Sequence, residues 1–434
     1  MSGLKRLCIR LAVFVALMLV VEIAARQIEP WIEPSPLATI RLVLQPYMMF
    51  TAPAADRPVW KNRVTGEPVP STMTFNNFGF AERFDFSLTP DAEYVKQHRK
   101  QPGEELVLIS GGSAAAGHGA TANDKTIAAR MEHHLNEHPG KLLYRVVNLA
   151  MGSWTSYQEF VGLSLFGLPL DPDWVVVMDG ANDANVACTG GSGAGRPMEW
   201  AKSLYFTLYG GSERSLVDSV LRHSVVVRIA TGQKPAPPLP REIVFDEKET
   251  DTRFDVKVAN LTMAEQDRQV EFYLQSQRNV LDLFHRANVL FSTQPMLYEN
   301  AITGSYREAF RPGATEAAHT RLKDELDQFM TRSNGLPCNS TITSQAGSYF
   351  MARSSLRLMD LVEHERAANP SRIVLYYNAE PALPLEMKKR DPYFLDAAHM
   401  SDRGQDRVGA FYADAILSAD RGAVFDPASF TKDE

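Results

Sequence analysis

The sequence predicts an α/β fold built on a central parallel sheet of about five strands. Three observations carry that expectation. From residue 105 onward, short β-branched runs alternate with helical segments, the pattern of βαβ units. Those runs are apolar almost without interruption, as strands covered on both faces must be. The 434 residues are 44% hydrophobic and 22% charged, so the chain has ordinary globular composition and ample length for a core.

Taken in order, residues 1–26 stand apart. Lys5, Arg6 and Arg10 precede an uncharged run from Leu11 to Val21, inside a wider apolar stretch from Leu7 to Ala25. A core this short suits a signal segment, with Ile23-Ala24-Ala25 as a small-residue cleavage site. A helix from Leu7 to Ala25 also approaches bilayer length, with Arg10 and Glu22 snorkelling at its ends. The framing by Arg10 and Glu22 favours a retained membrane anchor. In either case the basic flank predicts an extracytoplasmic location, periplasmic or cell-surface, for the rest of the chain, secreted if the segment is cleaved.

Residues 27–104 carry Pro30, Pro34, Pro36, Pro46, Pro53 and Pro58, and read as an irregular stem with short strands and no core of its own. The main domain is expected over 105–420. Its strands are predicted at 105–110, 144–149, 174–178, 288–293 and 372–377, and its helices near 123–137, 156–164, 263–286, 314–332, 345–366 and 402–418. Ser401 and Asp402 suit the N-cap of the last helix. Two insertions interrupt the pattern. Residues 185–255 are rich in Gly, Pro and Ser, and 296–366 hold amphipathic helices expected to cover one edge of the site; 421–434 form a tail.

A formal charge of −7 with scattered basic residues argues against a nucleic-acid partner. Of the three cysteines, Cys8 lies in the apolar segment, which leaves Cys188 and Cys338 as a candidate disulfide or as two free thiols. There is no CxxC and no His/Cys cluster at metal-ligand spacing, so neither a metal nor an organic cofactor is expected.

Ligands of an open parallel sheet bind at the carboxyl ends of its strands, so each strand end is a place to look. The first delivers Gly111-Gly112-Ser113. A phosphate loop would need a lysine where His118 stands, and GxGxxG is absent. That leaves a serine nucleophile, or a plain glycine turn. The second strand delivers Gly152, whose N–H can face a ligand closely. The third delivers Asp179-Gly180-Ala181-Asn182-Asp183, polar groups at the mouth of an apolar sheet, and an Asn side chain can donate to a developing oxyanion. Near the C-terminus, Asp396-Ala-Ala-His399 places a carboxylate where it can orient an imidazole towards a serine. His118, close to Ser113 in sequence, is the one competing base.

Together, Gly111-Gly112-Ser113, Gly152, Gly180-Ala181-Asn182-Asp183 and Asp396-Ala-Ala-His399, in that order, resemble the four blocks of the SGNH hydrolase (GDSL-like esterase) superfamily. The resemblance covers about residues 105–420. It implies a flavodoxin-like three-layer α/β/α sandwich, with Ser113 as nucleophile, His399 as base and Asp396 as its orienting acid. It also implies an oxyanion hole from the Ser113 N–H, the Gly152 N–H and the Asn182 side chain, with Asp183 supporting. Gly112 departs from the Asp that many members carry; such GGS variants, with an N-terminal anchor and a stretch like Asn76-Asn77-Phe78-Gly79-Phe80, are similar to a membrane-anchored bacterial subgroup. The activity implied is hydrolysis or transfer of an acyl, first of all acetyl, ester on a small molecule, an acylated saccharide or a lipid ester. Two alternatives stand beside it: an O-acyltransferase on an envelope polysaccharide, which would need a partner protein or exported donor to supply acyl groups, and an inactive binding module.

Overall fold

The computed structural model describes Val21, 39–45, 48–51, 59–62, 65–137, 142–186, 242–246, 260–298, Asn300, 302–310, 314–332, 336–337, 345–384 and 386–427. Apart from Val21, the expected N-terminal anchor or signal helix lies outside the described residues, as do Cys188, Cys338 and most of the 185–255 insertion. Among the described residues, no helix is long and apolar enough to cross a membrane.

Five parallel strands form the central sheet: β1 (Glu104–Gly111), β2 (Leu143–Asn148), β3 (Trp174–Asp179), β4 (Asn288–Thr293) and β5 (Val374–Asn378). Their order across the sheet is β5-β4-β3-β1-β2, the doubly wound order of flavodoxin-like sheets, which reverses direction between β1 and β3. Every residue of β3 is buried, because helices cover both faces; this is why the run reads as continuous Trp-Val-Val-Val-Met. Each strand appears within two residues of its expected position at either end.

Helices α1 (Ile127–Glu137), α2 (Ser156–Gly162), α3 (Met263–Leu283), α5 (Gln345–Ala368) and α6 (Asp402–Asp420) flank the sheet, and α4 (Glu316–Arg332) lies outside them. The first starts later than its expected 123 because Thr126 is extended, and its Oγ1 accepts the Ala129 N–H at 3.3 Å, capping the helix. Thr155 and Gln158 close a capping box at the start of α2. One apolar layer joins Trp154, Phe166, Val175 and Phe291 to residues of α3 and α5. The other joins Met131, Trp174, Phe411 and Ile416, from α1, β3 and α6. Helix α4 extends the fold through Leu322 and Leu326, packed against Tyr349 and Ala352 of α5.

The approach segment ends inside this core. Phe80 is fully buried and meets the rings of Phe86, Trp154 and Phe166 edge-on, at 5.2, 5.6 and 5.6 Å. Asn76 fixes that turn, its Oδ1 accepting the Phe78 and Phe80 N–H groups and its Nδ2 donating to the Phe84 carbonyl. The stretch read as a stem therefore lends its aromatic residues to the main domain.

At the β2 edge, the N–H groups facing away from β1 are all taken by side chains. Tyr144 donates to Asn136 Oδ1 at 3.0 Å, Val146 to Glu132 Oε2 at 2.9 Å and Asn148 to Glu82 Oε2 at 2.8 Å.

Candidate active site

The loops leaving β1, β2 and β3 and the turn before α6 converge at the carboxyl edge of the sheet. Ser113 opens a short helix, Ser113–Ala116, directly after β1. Its Oγ lies 2.7 Å from His399 Nε2, and His399 Nδ1 lies 2.7 Å from Asp396 Oδ2. Three residues separated by up to 286 positions thus form one continuous hydrogen-bonded chain. The His399 side chain keeps 31% of its surface exposed, so the reacting edge is open to a ligand.

Asp396 is fixed by its own turn: Oδ1 accepts the Ala398 and His399 N–H groups, each at 2.8 Å, while Oδ2 faces the imidazole. Burial works to raise its pKa. The hydrogen bond and charge of His399, together with the two backbone donors, more than offset this and hold the carboxyl well below the usual carboxylate range. The carboxylate so favoured selects the His399 tautomer that leaves Nε2 free to accept from Ser113.

The oxyanion candidates sit beside the serine. Asn182 Nδ2 donates one hydrogen to the Trp154 carbonyl at 2.7 Å, which orients the amide and leaves its second hydrogen available. Gly112 is required by that amide, since a Cβ there would lie 2.5 Å from Asn182 Nδ2. Gly152 is followed by Ser153 at φ 64°, a left-handed conformation uncommon outside glycine and characteristic of shaped functional loops.

Asp183 turns away from the reacting edge. Its carboxylate accepts the Ser156 N–H at 3.0 Å and the Ser156 hydroxyl at 2.7 Å, tying the Asn182 loop to the start of α2. Burial pushes its pKa up to about 6, against the Ser156 hydrogen bonds that lower it. Behind it, Asp179 accepts from the Gly180 N–H and from Gln277 Nε2, and burial with the neighbouring Asp183 charge raises its pKa well above normal. Glu159 completes this buried acid group, raised by burial and by both aspartates.

His118, the competing candidate for the base, lies apart from the Ser113 hydroxyl, which pairs with His399. Its backbone N–H donates to the Ser113 carbonyl at 2.9 Å, and its ring stands beside that of His399 at 5.6 Å without reaching the Ser113 hydroxyl. Burial foremost, then the charge of His399, holds its pKa down to about 3. Among the described residues, no group of three or more His, Cys, Asp or Glu side chains is arranged to hold a metal ion.

Residues that sequence reading missed support the histidine turn. Gln294, just past β4, donates to the Ala398 carbonyl at 3.1 Å, and the Leu297 N–H to the Ala397 carbonyl at 3.0 Å. Arg390 is completely buried; it pairs with Glu380 at 2.7 Å and donates to the Pro384 and Met296 carbonyls, bracing the segment that leads to Asp396. A glutamine at a strand end was a visible signal for the first. Nothing in the sequence pattern marks the second.

A doubly wound α/β sandwich that supplies Ser, Gly, Asn and His, in this order, from successive strand ends and a C-terminal turn has the layout of the SGNH hydrolases. No protein-family model matches the chain, and no curated protein matches it. Solved structures do. They include a GDSL-like lipase from Bacteroides thetaiotaomicron (13% identity, TM-score 0.32, covering 75% of this chain and 97% of that one). An acetyl xylan esterase matches at 14% identity and TM-score 0.28, over 72% and 98% of the two chains. A two-domain esterase active on acetylated mannans matches at 12% identity and TM-score 0.31, over 77% of this chain and 53% of that one.

Proposed function

We propose that this protein is a serine esterase that cleaves or transfers a small acyl group, acetyl first of all, from an extracytoplasmic carbohydrate or lipid ester. One observation carries the reading: the unbroken Ser113–His399–Asp396 chain, 2.7 Å at each step. His399 Nε2 takes the Ser113 proton as Oγ attacks the ester carbonyl. The Ser113 and Gly152 N–H groups and the free hydrogen of Asn182 Nδ2 receive the charge that develops on the carbonyl oxygen. His399 then passes the proton to the departing alcohol oxygen, leaving an acyl group on Ser113. Water, or an acceptor hydroxyl, reverses these steps with His399 again as base.

The test is Ser113→Ala assayed on p-nitrophenyl acetate, with a fluorophosphonate probe as a second readout. Turnover should fall on the order of a thousandfold or more and labelling should vanish. Full activity in Ser113→Ala would refute the mechanism, and failure of the unaltered protein to take the probe would favour a binding module. Acetyl release measured with and without an oligosaccharide acceptor separates hydrolysis from transfer. The basic flank and apolar run of residues 7–25 support anchoring of this activity at a membrane.

A further inference from the structure

The triad leaves His118 unused, yet the fold places its ring with care. Its peptide groups are occupied: the N–H donates to Ser113 and the carbonyl accepts from Gln405 Nε2 at 3.1 Å. The ring packs at a tilt against Trp60, with centroids 4.9 Å apart, and against His399, at 5.6 Å. Trp60 is itself fixed, its indole N–H donating to the Ala120 carbonyl at 2.8 Å. Among the described residues neither ring nitrogen of His118 has a hydrogen-bond partner. The edge bearing Nε2 faces Gly152, where an added Cβ would come within 2.9 Å of that nitrogen.

Burial and the neighbouring His399 oppose protonation of the ring and favour its neutral form. A neutral imidazole offers one donor and one acceptor, the pair that a hydroxyl group can satisfy. The residue is half-buried, so its unpartnered nitrogens are within reach of a ligand, which can take the place of water there. The location says which part of a ligand. His399 must hand its proton to the departing oxygen, so the alcohol half of the ester passes beside His399, and the ring packed between His399 and Gly152 flanks it.

We propose that His118 is a specificity-determining residue that hydrogen-bonds a free hydroxyl on the alcohol half of the ester, so that partly acylated polyols or saccharides are preferred over esters of simple alcohols. This rests on the esterase reading of Ser113. The test compares kcat/KM for glycerol monoacetate, which carries hydroxyls beside its ester, with that for ethyl acetate, which carries none. In the unaltered protein the ratio should favour glycerol monoacetate. In His118→Phe, which keeps a planar ring and loses both polar atoms, the ratio should fall at least about tenfold, the scale of one hydrogen bond in a site shaped to receive it. His118→Gln, which retains a donor and an acceptor, should hold it within about threefold of the starting value. Because the ratio is taken within one preparation, partial misfolding cancels. Fluorophosphonate labelling of Ser113 distinguishes the two levels of failure. A protein that neither labels nor cleaves either ester refutes the esterase reading itself. One that labels and cleaves, with a ratio unchanged within about twofold in His118→Phe, overturns the role of His118 alone. A ratio as low in His118→Gln as in His118→Phe assigns the preference to ring shape and overturns it also.

Discussion

Replacing Gly152 with alanine should damage the site through His118 and not through the backbone. Gly152 is not among the glycines at positive φ, so the main chain there accepts a side chain. The ring does not. An alanine Cβ would lie 2.6 Å from His118 Cε1 and 2.9 Å from Nε2. Carbon atoms in contact settle at roughly 3.5–4.0 Å, so ring and loop must separate by about 1 Å. The ring has little room to retreat, with Trp60 packed against it at 4.9 Å and His399 at 5.6 Å. Either the Gly152 N–H leaves the oxyanion position or the His399 ring is displaced, and a shift of about 1 Å in such groups costs on the order of a hundredfold. Gly152→Ala should therefore lower kcat/KM on p-nitrophenyl acetate by about that factor. The double variant Gly152→Ala/His118→Ala opens the space again and should recover at least tenfold relative to Gly152→Ala. In a double-mutant cycle this is a coupling of about 1.4 kcal/mol or more. Additive effects, with coupling below about 0.5 kcal/mol, would refute the steric account.

Asp396→Asn keeps the shape of the turn but removes the anion that selects the His399 tautomer, so kcat should fall on the order of a thousandfold or more while far-UV circular dichroism is unchanged. A loss below about tenfold would show that the backbone alone orients His399. The buried acids behind the site give a prediction about stability. Asp183, pushed up to about 6, and Glu159 and Asp179, raised further by burial and mutual repulsion, bind protons more tightly folded than unfolded. Their contribution is complete below the ordinary carboxylate pKa, about 4, and is lost as pH rises through the folded-state values. Glu159→Gln removes one of these protons from the balance. Urea midpoints measured between pH 4 and pH 8 should show the variant gaining on the unaltered protein as pH rises, whereas parallel curves would mean Glu159 does not titrate in this range.

Much of this was readable from the chain. The five strands announced themselves because a strand buried on both faces has no polar residues to blur it, and the four site blocks could be found because a parallel sheet delivers its chemistry at strand ends. Asp396 and His399 were legible as a pair because the turn that joins them is local. What could not be read is non-local. That Trp60, from a proline-rich approach, packs against His118 depends on how residues 59–61 pair with 68–70, a contact that no periodicity encodes. Arg390 ends a Lys-Lys-Arg run that carries no mark of burial, and its carbonyl partners make it a buried brace. Asp183 could be read as a supporting residue from its place in the Asn182 block, but that its carboxylate would hold Ser156 could not.

The outer edge of β2 has a consequence for the protein in company. An unpaired strand edge is a template on which another chain can add a strand, and parallel sheets expose theirs while still assembling. Here every second N–H along that edge already donates to an oxygen of Asn136, Glu132 or Glu82, so an incoming strand would have to evict three side chains, two of them carboxylates, to use these donors. The edge therefore offers a poor template for an added strand.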